Sequence, residues 1–398
     1  MHLSKTAASA RTCNSFLPPK IFLACLAFAS LAPTQAQNAA APSEKPAAKP
    51  ESPQPASATK ADDTARWLAG LPPQDEALKV STLLPAWKNH AAAVDAAWTN
   101  SERHRLTKVR EWAPAALGET CTADSPVFYF FSGADFLYAH ALFPKAKTYV
   151  LCAREPVGSQ PDPARIKPGE LAGALSTFRN SISSLLDFSF FITKELRKDV
   201  VQRHIPGILP VLEFILAREG ARISEVETVR CDDTGAISSD EQTQVGSPGV
   251  RIRFRTGEEP EQTLYYFYGD LSNGGLKIHG GVLKFCETLG TGRSLLKAAS
   301  YLPHVGAFSV INEWVLEHSN AVVQDTSGIP FRKFSKDKWT LRFWGHNAQP
   351  IGLFKQHAEP DLKAAVSAAP AQPIPFGFGY QHEPANSLLI LAERTAAK

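Results

Sequence analysis

Four acidic side chains follow short apolar runs in this sequence. Asp135 comes after Val127–Phe131, Glu155 after Thr148–Cys152, Asp270 after Thr263–Tyr268 and Asp325 after Ala321–Gln324. Apolar runs of this length without a helical period read as buried strands. In a parallel α/β sheet, ligands bind just beyond the carboxyl ends of such strands. Ser132 and Gly133 precede Asp135, and Ser272 and Asn273 follow Asp270. Free backbone N–H groups at the start of a helix after Gly133 suit an anionic or polar group. Glu155 stands about twenty residues past Gly133, where a nucleotide-binding βαβ unit carries its ribose-binding acid. The ligand-binding candidates are therefore Ser132, Gly133, Asp135, Glu155, Asn273 and Asp325. The catalytic candidates are Asp270, in the turn Gly269-Asp270-Leu271-Ser272-Asn273-Gly274-Gly275, and His279, the histidine nearest that turn and so the candidate general base. Three of the acids also have a plain structural role open to them: Asp135 as a helix cap, Glu155 as a solvated strand end, Asp270 as a turn residue.

No stronger signature accompanies them. Gly-x-Ser-x-Gly, Cys-x-x-Cys, His-Glu-x-x-His and a calcium-loop pattern are all missing, so no metal site is expected and the cofactor is unknown. His382-Glu383 has no second histidine, and His140, His304, His346 and His357 are scattered.

The elements that must position these residues can be read in outline. Val127–Phe131, the turn Ser132-Gly133, a helix over 134–143 ended by Pro144, and Thr148–Cys152 make a βαβ unit with parallel strands. Helices are expected at about 169–188 and 207–219, a strand at Arg222–Arg230, and a hairpin of Val250–Arg255 with Thr263–Tyr268. Residues Gly281 to Ser319 read as broken helices, and Trp339–Trp344 and Ser387–Glu393 as late strands. Asp62 or Asp63 could cap a short helix, and Leu84 to Ala116 carries Trp87, Val94, Trp98, Leu106, Val109 and Trp112 at amphipathic spacing. The expectation is one α/β domain over residues 62–398: a Rossmann-like mixed sheet, parallel at the βαβ unit and antiparallel toward the C-terminus, with a helical N-terminal cover over 62–116.

Residues 127–155 with the later antiparallel strand pair resemble the layout of class I methyltransferases and other Rossmann-like folds, with Gly133 and Glu155 as the matching positions. The family's first loop holds several glycines where this chain has Gly133 alone, and methyl donors are cytoplasmic, so the resemblance implies a fold and no activity. The stretches SGADFLYA, DLSNGGL and QDTSGIP also resemble segments of exported bacterial proteins of no known activity. The Gly269–Gly275 turn is similar to the nucleophile block of GDSL-type esterases, but Leu271 stands where the serine belongs and no later Asp-x-x-His follows.

Residues 1–36 have the three-part plan of a secretory signal: a basic start, the apolar run Ile21 to Ala32, and the small-residue site Thr34-Gln35-Ala36. Export into the periplasm or medium is expected, with soluble release favoured over a lipid anchor at Cys25. Residues 37–61 are Ala-, Pro-, Ser- and Lys-rich and read as a disordered linker. The formal charge of +3 is uneven, since residues 1–60 hold six basic against two acidic side chains and leave the remainder near neutral. A near-neutral domain lacks a phosphate-neutralising footprint, so nucleic acid is not an expected partner. No transmembrane span follows the signal, and a small polar ligand is the partner to look for. Of Cys121, Cys152, Cys231 and Cys286, a Cys121–Cys231 bridge is the one guessed, from their polar surroundings. Two functions stay open: a non-catalytic exported binding or envelope protein, and an exported enzyme acting on a small polar substrate at the carboxyl edge of the sheet.

Overall fold

A computed structural model describes residues 58–131, 133–188, 203–240, 245–370 and 372–395. The signal, most of the expected linker, and Ser132 lie outside the described residues. Ten strands form one mixed sheet. In chain order they are β1 (Val127–Phe130), β2 (Thr148–Ala153), β3 (Ala221–Cys231), β4 (Ile237–Ser238), β5 (Ser247–Thr256), β6 (Gln262–Tyr268), β7 (Gly292–Leu296), β8 (Ser319–Gln324), β9 (Trp339–Gly345) and β10 (Leu388–Arg394). The spatial order is β4-β3-β5-β6-β2-β1-β7-β8-β10-β9. The central five strands, β6-β2-β1-β7-β8, are all parallel. Antiparallel pairs flank them on both sides.

The alternation of side chains explains the layers. In β1, Val127 and Tyr129 face one core while Phe128 and Phe130 face the other; in β2, Tyr149 and Leu151 oppose Val150 and Cys152 in the same way. Strands buried on both faces need helices on both faces. Helices α1 (Lys60–Leu68), α3 (Pro85–Ser101), α4 (Thr107–Leu117), α6 (Phe136–Leu142), α7 (Pro168–Phe188) and α8 (Leu209–Arg218) contribute to the first core. Helices α10 (Gly281–Thr288) and α11 (Ser309–His318) contribute to the second. The short helices α2 (Glu76–Thr82), α5 (Glu119–Thr122), α9 (Asn273–His279) and α12 (Pro360–Ala368) complete the set among the described residues. None of the described helices is long and apolar enough to cross a membrane.

The βαβ unit and the β5–β6 hairpin stand where the sequence places them. Three readings are corrected. Thr59, rather than Asp62 or Asp63, caps α1, its Oγ1 accepting from the Asp62 N–H at 3.1 Å. Both acids are buried in the first turn, where Asp62 accepts from the Ile223 N–H at 2.9 Å and Asp63 from the Gln74 and Asp75 N–H groups, tying the helix to β3 and to the following loop. Gly292–Leu296, expected within a helical stretch, is the central strand β7 between β1 and β8. Cys121 and Cys231 are not bridged: all four described cysteines are free and buried, and these two lie in different cores.

Candidate functional site

Because the five central strands are parallel, their carboxyl ends share one rim, and the four candidate acids follow strands of it. Asp135 follows β1 and caps α6, its Oδ1 accepting from the Tyr138 N–H at 3.4 Å. Its Oδ2 accepts from the Tyr129 hydroxyl at 2.7 Å and lies 2.8 Å from the Lys297 ammonium, which extends from the end of β7. The Lys297 side chain has no exposure and Asp135 only 2%, so this is a buried ion pair. Lys297 also sits 4.2 Å from the centre of the Tyr138 ring, a cation–π contact strengthened by the absence of water. Burial pushes the Asp135 carboxyl up against the downward pull of Lys297, and burial together with Asp135 raises the Tyr129 phenol.

Asp325, at the end of β8, is also buried and holds three backbone N–H groups and one hydroxyl. Its Oδ1 accepts from the Ser327 N–H (2.9 Å) and hydroxyl, and its Oδ2 from the N–H groups of Ala298 (3.1 Å) and Tyr380 (3.4 Å). These bonds lock the loop after β7 in a costly shape. Ala298, Ser300 and Tyr301 have φ of 52°, 53° and 53°, and Phe131 after β1 has 63°. These are the non-glycine residues in the left-handed region among those described, and each costs on the order of 1–3 kcal/mol unless its surroundings enforce it. Here the Ser327 hydroxyl accepts from the Ala299 N–H at 2.8 Å. The Tyr380 hydroxyl accepts from the Ser300 N–H at 3.0 Å and donates to the Ala298 carbonyl at 2.9 Å.

The other candidates divide. Glu155 is 2% exposed rather than solvated, beside the buried Tyr266, whose hydroxyl donates to the Glu155 carbonyl at 2.8 Å. Asp270 makes the turn bond expected of it, accepting from the Ser272 N–H at 2.9 Å, and stands 3.6 Å from the exposed Arg154 guanidinium. Asn273 opens a helix where a loop was expected. Its side chain clamps that helix to the start of α11, donating to the Gly306 carbonyl and the Ser309 hydroxyl and accepting from the Val310 N–H. His279 is the exposed last residue of α9 and makes no hydrogen bond or ion pair with Asp270. Gly133 has φ 57°, the left-handed turn the motif required. Two surface cavities, of about 340 and 370 Å³, are lined by none of the eight candidates.

Sequence reasoning missed a second cluster beside the same rim. Tyr301 stacks on His357 with ring centres 5.2 Å apart and meets His304 edge-on at 5.1 Å. His304 Nε2 lies 4.0 Å from Glu359 Oε1. Burial, with His357 nearby, lowers His304 to about 4, and burial raises Glu359 to about 7 against the Phe331 N–H it accepts. At 4.0 Å the two groups are beyond direct hydrogen-bond distance, so proton exchange between them would need one bridging water. The only sequence signal was histidine content, too diffuse to find it. Among the described residues no three His, Cys, Asp or Glu side chains gather as a metal site. Comparison with family models, curated proteins and solved structures returns no match to this chain.

Proposed function

We propose that this is an exported, non-catalytic binding or envelope protein on a Rossmann-like frame whose usual ligand crevice is filled by its own side chains. Counted in chain order, the parallel strands run 3-2-1-4-5, the order of doubly wound nucleotide-binding sheets. The antiparallel β10 beside β8, with β9 outside it, adds the strand pair of the methyltransferase-type layout. In such sheets the ligand enters where the order reverses, between strands 1 and 4. Here those strands are β1 and β7, and the Asp135–Lys297 pair spans their carboxyl ends. That pair is the observation that carries the reading. The anion which a helix N-terminus there would hold is supplied by Asp135, and the cation that would complement a ligand is neutralised in place.

The test is a thermal-shift and calorimetric titration of the protein with adenine nucleotides, S-adenosylmethionine and a panel of small polar metabolites. No saturable response that depends on Asp135 is expected. Lys297→Met should lower stability by about 3–5 kcal/mol, the cost of stranding a buried charge. A metabolite that binds wild type and is lost in Asp135→Asn would overturn the reading. It would then favour the alternative supported by His304 and Glu359: an enzyme using that pair as acid and base on a small polar substrate at the rim.

A further inference from the structure

The cavity of about 340 Å³ lies on the opposite rim. His140 in α6, Pro144 just before β2, and Thr256 beside the start of β6 put it at the amino ends of the parallel strands. Three of its lining residues hold four buried polar atoms without a hydrogen-bond partner: Nε and Nη2 of Arg218, Nε2 of His140 and Oγ1 of Thr256. The side chains of Arg218 and His140 are 5% and 7% exposed, so bulk water does not serve them. Their other atoms are taken. Arg218 Nη1 donates to Asp95 at 2.9 Å, and His140 Nδ1 donates to Glu219 Oε2 at 2.9 Å, while Arg110 holds the other Glu219 oxygen and Glu102.

Nε and Nη2 form the side-on edge of a guanidinium, the fork that matches two oxygens of one carboxylate. A buried fork of this kind, left with no acceptor from the chain, calls for one from outside it. We infer that this cavity is a binding site for a small monocarboxylate, received side-on by Arg218 and flanked by His140 and Thr256. A single negative charge is favoured over two, because Arg110 and Arg218 already face Glu102, Glu219 and, through Arg218 Nη1, Asp95. A phosphate dianion would add a second negative charge beside these three carboxylates. Pro144 and Ala141 give the body of the ligand an apolar wall. This site stands apart from the carboxyl rim, so either reading can fail without the other.

The experiment titrates the full chain with acetate, benzoate and inorganic phosphate, followed by thermal shift and by the imidazole ¹⁵N resonances of His140. A saturable midpoint rise with a carboxylate is expected, with His140 shifting in step and phosphate at least tenfold weaker. Arg218→Lys keeps the charge and loses the fork, so carboxylate affinity should fall at least tenfold. No saturable carboxylate response in wild type would overturn the proposal, as would tighter binding of phosphate. So would an undiminished response in Arg218→Lys. The wild-type His140 titration decides the matter even where a variant fails to fold.

Discussion

Glu213 illustrates how much a single buried acid governs. It lies in α8 with no exposure, and its one bond is from Gln160 Nε2 at 2.9 Å, leaving Oε2 without a partner. Burial raises its carboxyl to about 8 from 4.5. Between those values the unfolded chain ionises while the native protein keeps its proton. Stability contributed by the protonated native form is therefore complete below about 4.5 and declines as pH rises, by about 1.4 kcal/mol per unit, until the native group also ionises near 8. Glu213→Gln keeps the shape and the amide contact and removes the titration. Urea melts across pH 5 to 8 should show a clearly flatter stability profile than wild type, with the variant the more stable at pH 8. A parallel slope in both proteins would refute the assignment.

Elements are held by backbone contacts that side-chain patterns do not announce. After β2, Gly158 and Gly207 cross at van der Waals distance. A Cβ on Gly207 would lie 2.2 Å from the Gly158 Cα, and one on Gly158 2.0 Å from the Pro206 carbonyl oxygen. Both have positive φ, and the crossing lets Ile208 and Leu209 donate to the Val157 carbonyl, which fixes the start of α8 against the sheet. Gly207→Ala should destabilise by roughly 2 kcal/mol or more, because strain and a backbone clash act together. Denaturant unfolding measures it, and a loss below 0.5 kcal/mol, about the level of an ordinary surface change, would show the crossing to be slack. The same scale decides what could be read from sequence. β1, β2 and the β5–β6 hairpin were legible because aromatic and β-branched runs alternate or cluster without helical period. β7 was not, since Gly292-Arg293-Ser294-Leu295-Leu296 offers no alternation, and its buried Arg293 looks like a surface residue. Tertiary partners make that arginine a core group, as it donates to the carbonyls of Thr120 and Ser125. Losing β7 from the reading also hid Lys297, so Asp135 could be placed while its partner could not.

The whole molecule bears on its thiols. Cys152, Cys231 and Cys286 share one core and Cys121 lies in the other, all four buried and unbridged. Burial pushes Cys231 up to about 12 and raises the other three as well. A thiol that holds its proton and is closed to solvent is a poor nucleophile. For the chain beginning at Gln37, a thiol reagent should label none of the four rapidly in the native state and all four after denaturation. The thermal midpoint should not move with reductant. A midpoint lowered by reductant would reveal a bridge that the structure lacks.

The Asp135–Lys297 pair has a consequence for how this lineage can change. Replacing either member alone strands a charge in a dry interior, while replacing both must also supply a new cap for α6. Every path of single substitutions toward an open crevice therefore descends through a less stable intermediate. On the proposed reading of a filled crevice, the pair works as a ratchet in sequence space, holding the fold in its closed form whatever advantage an open one would bring.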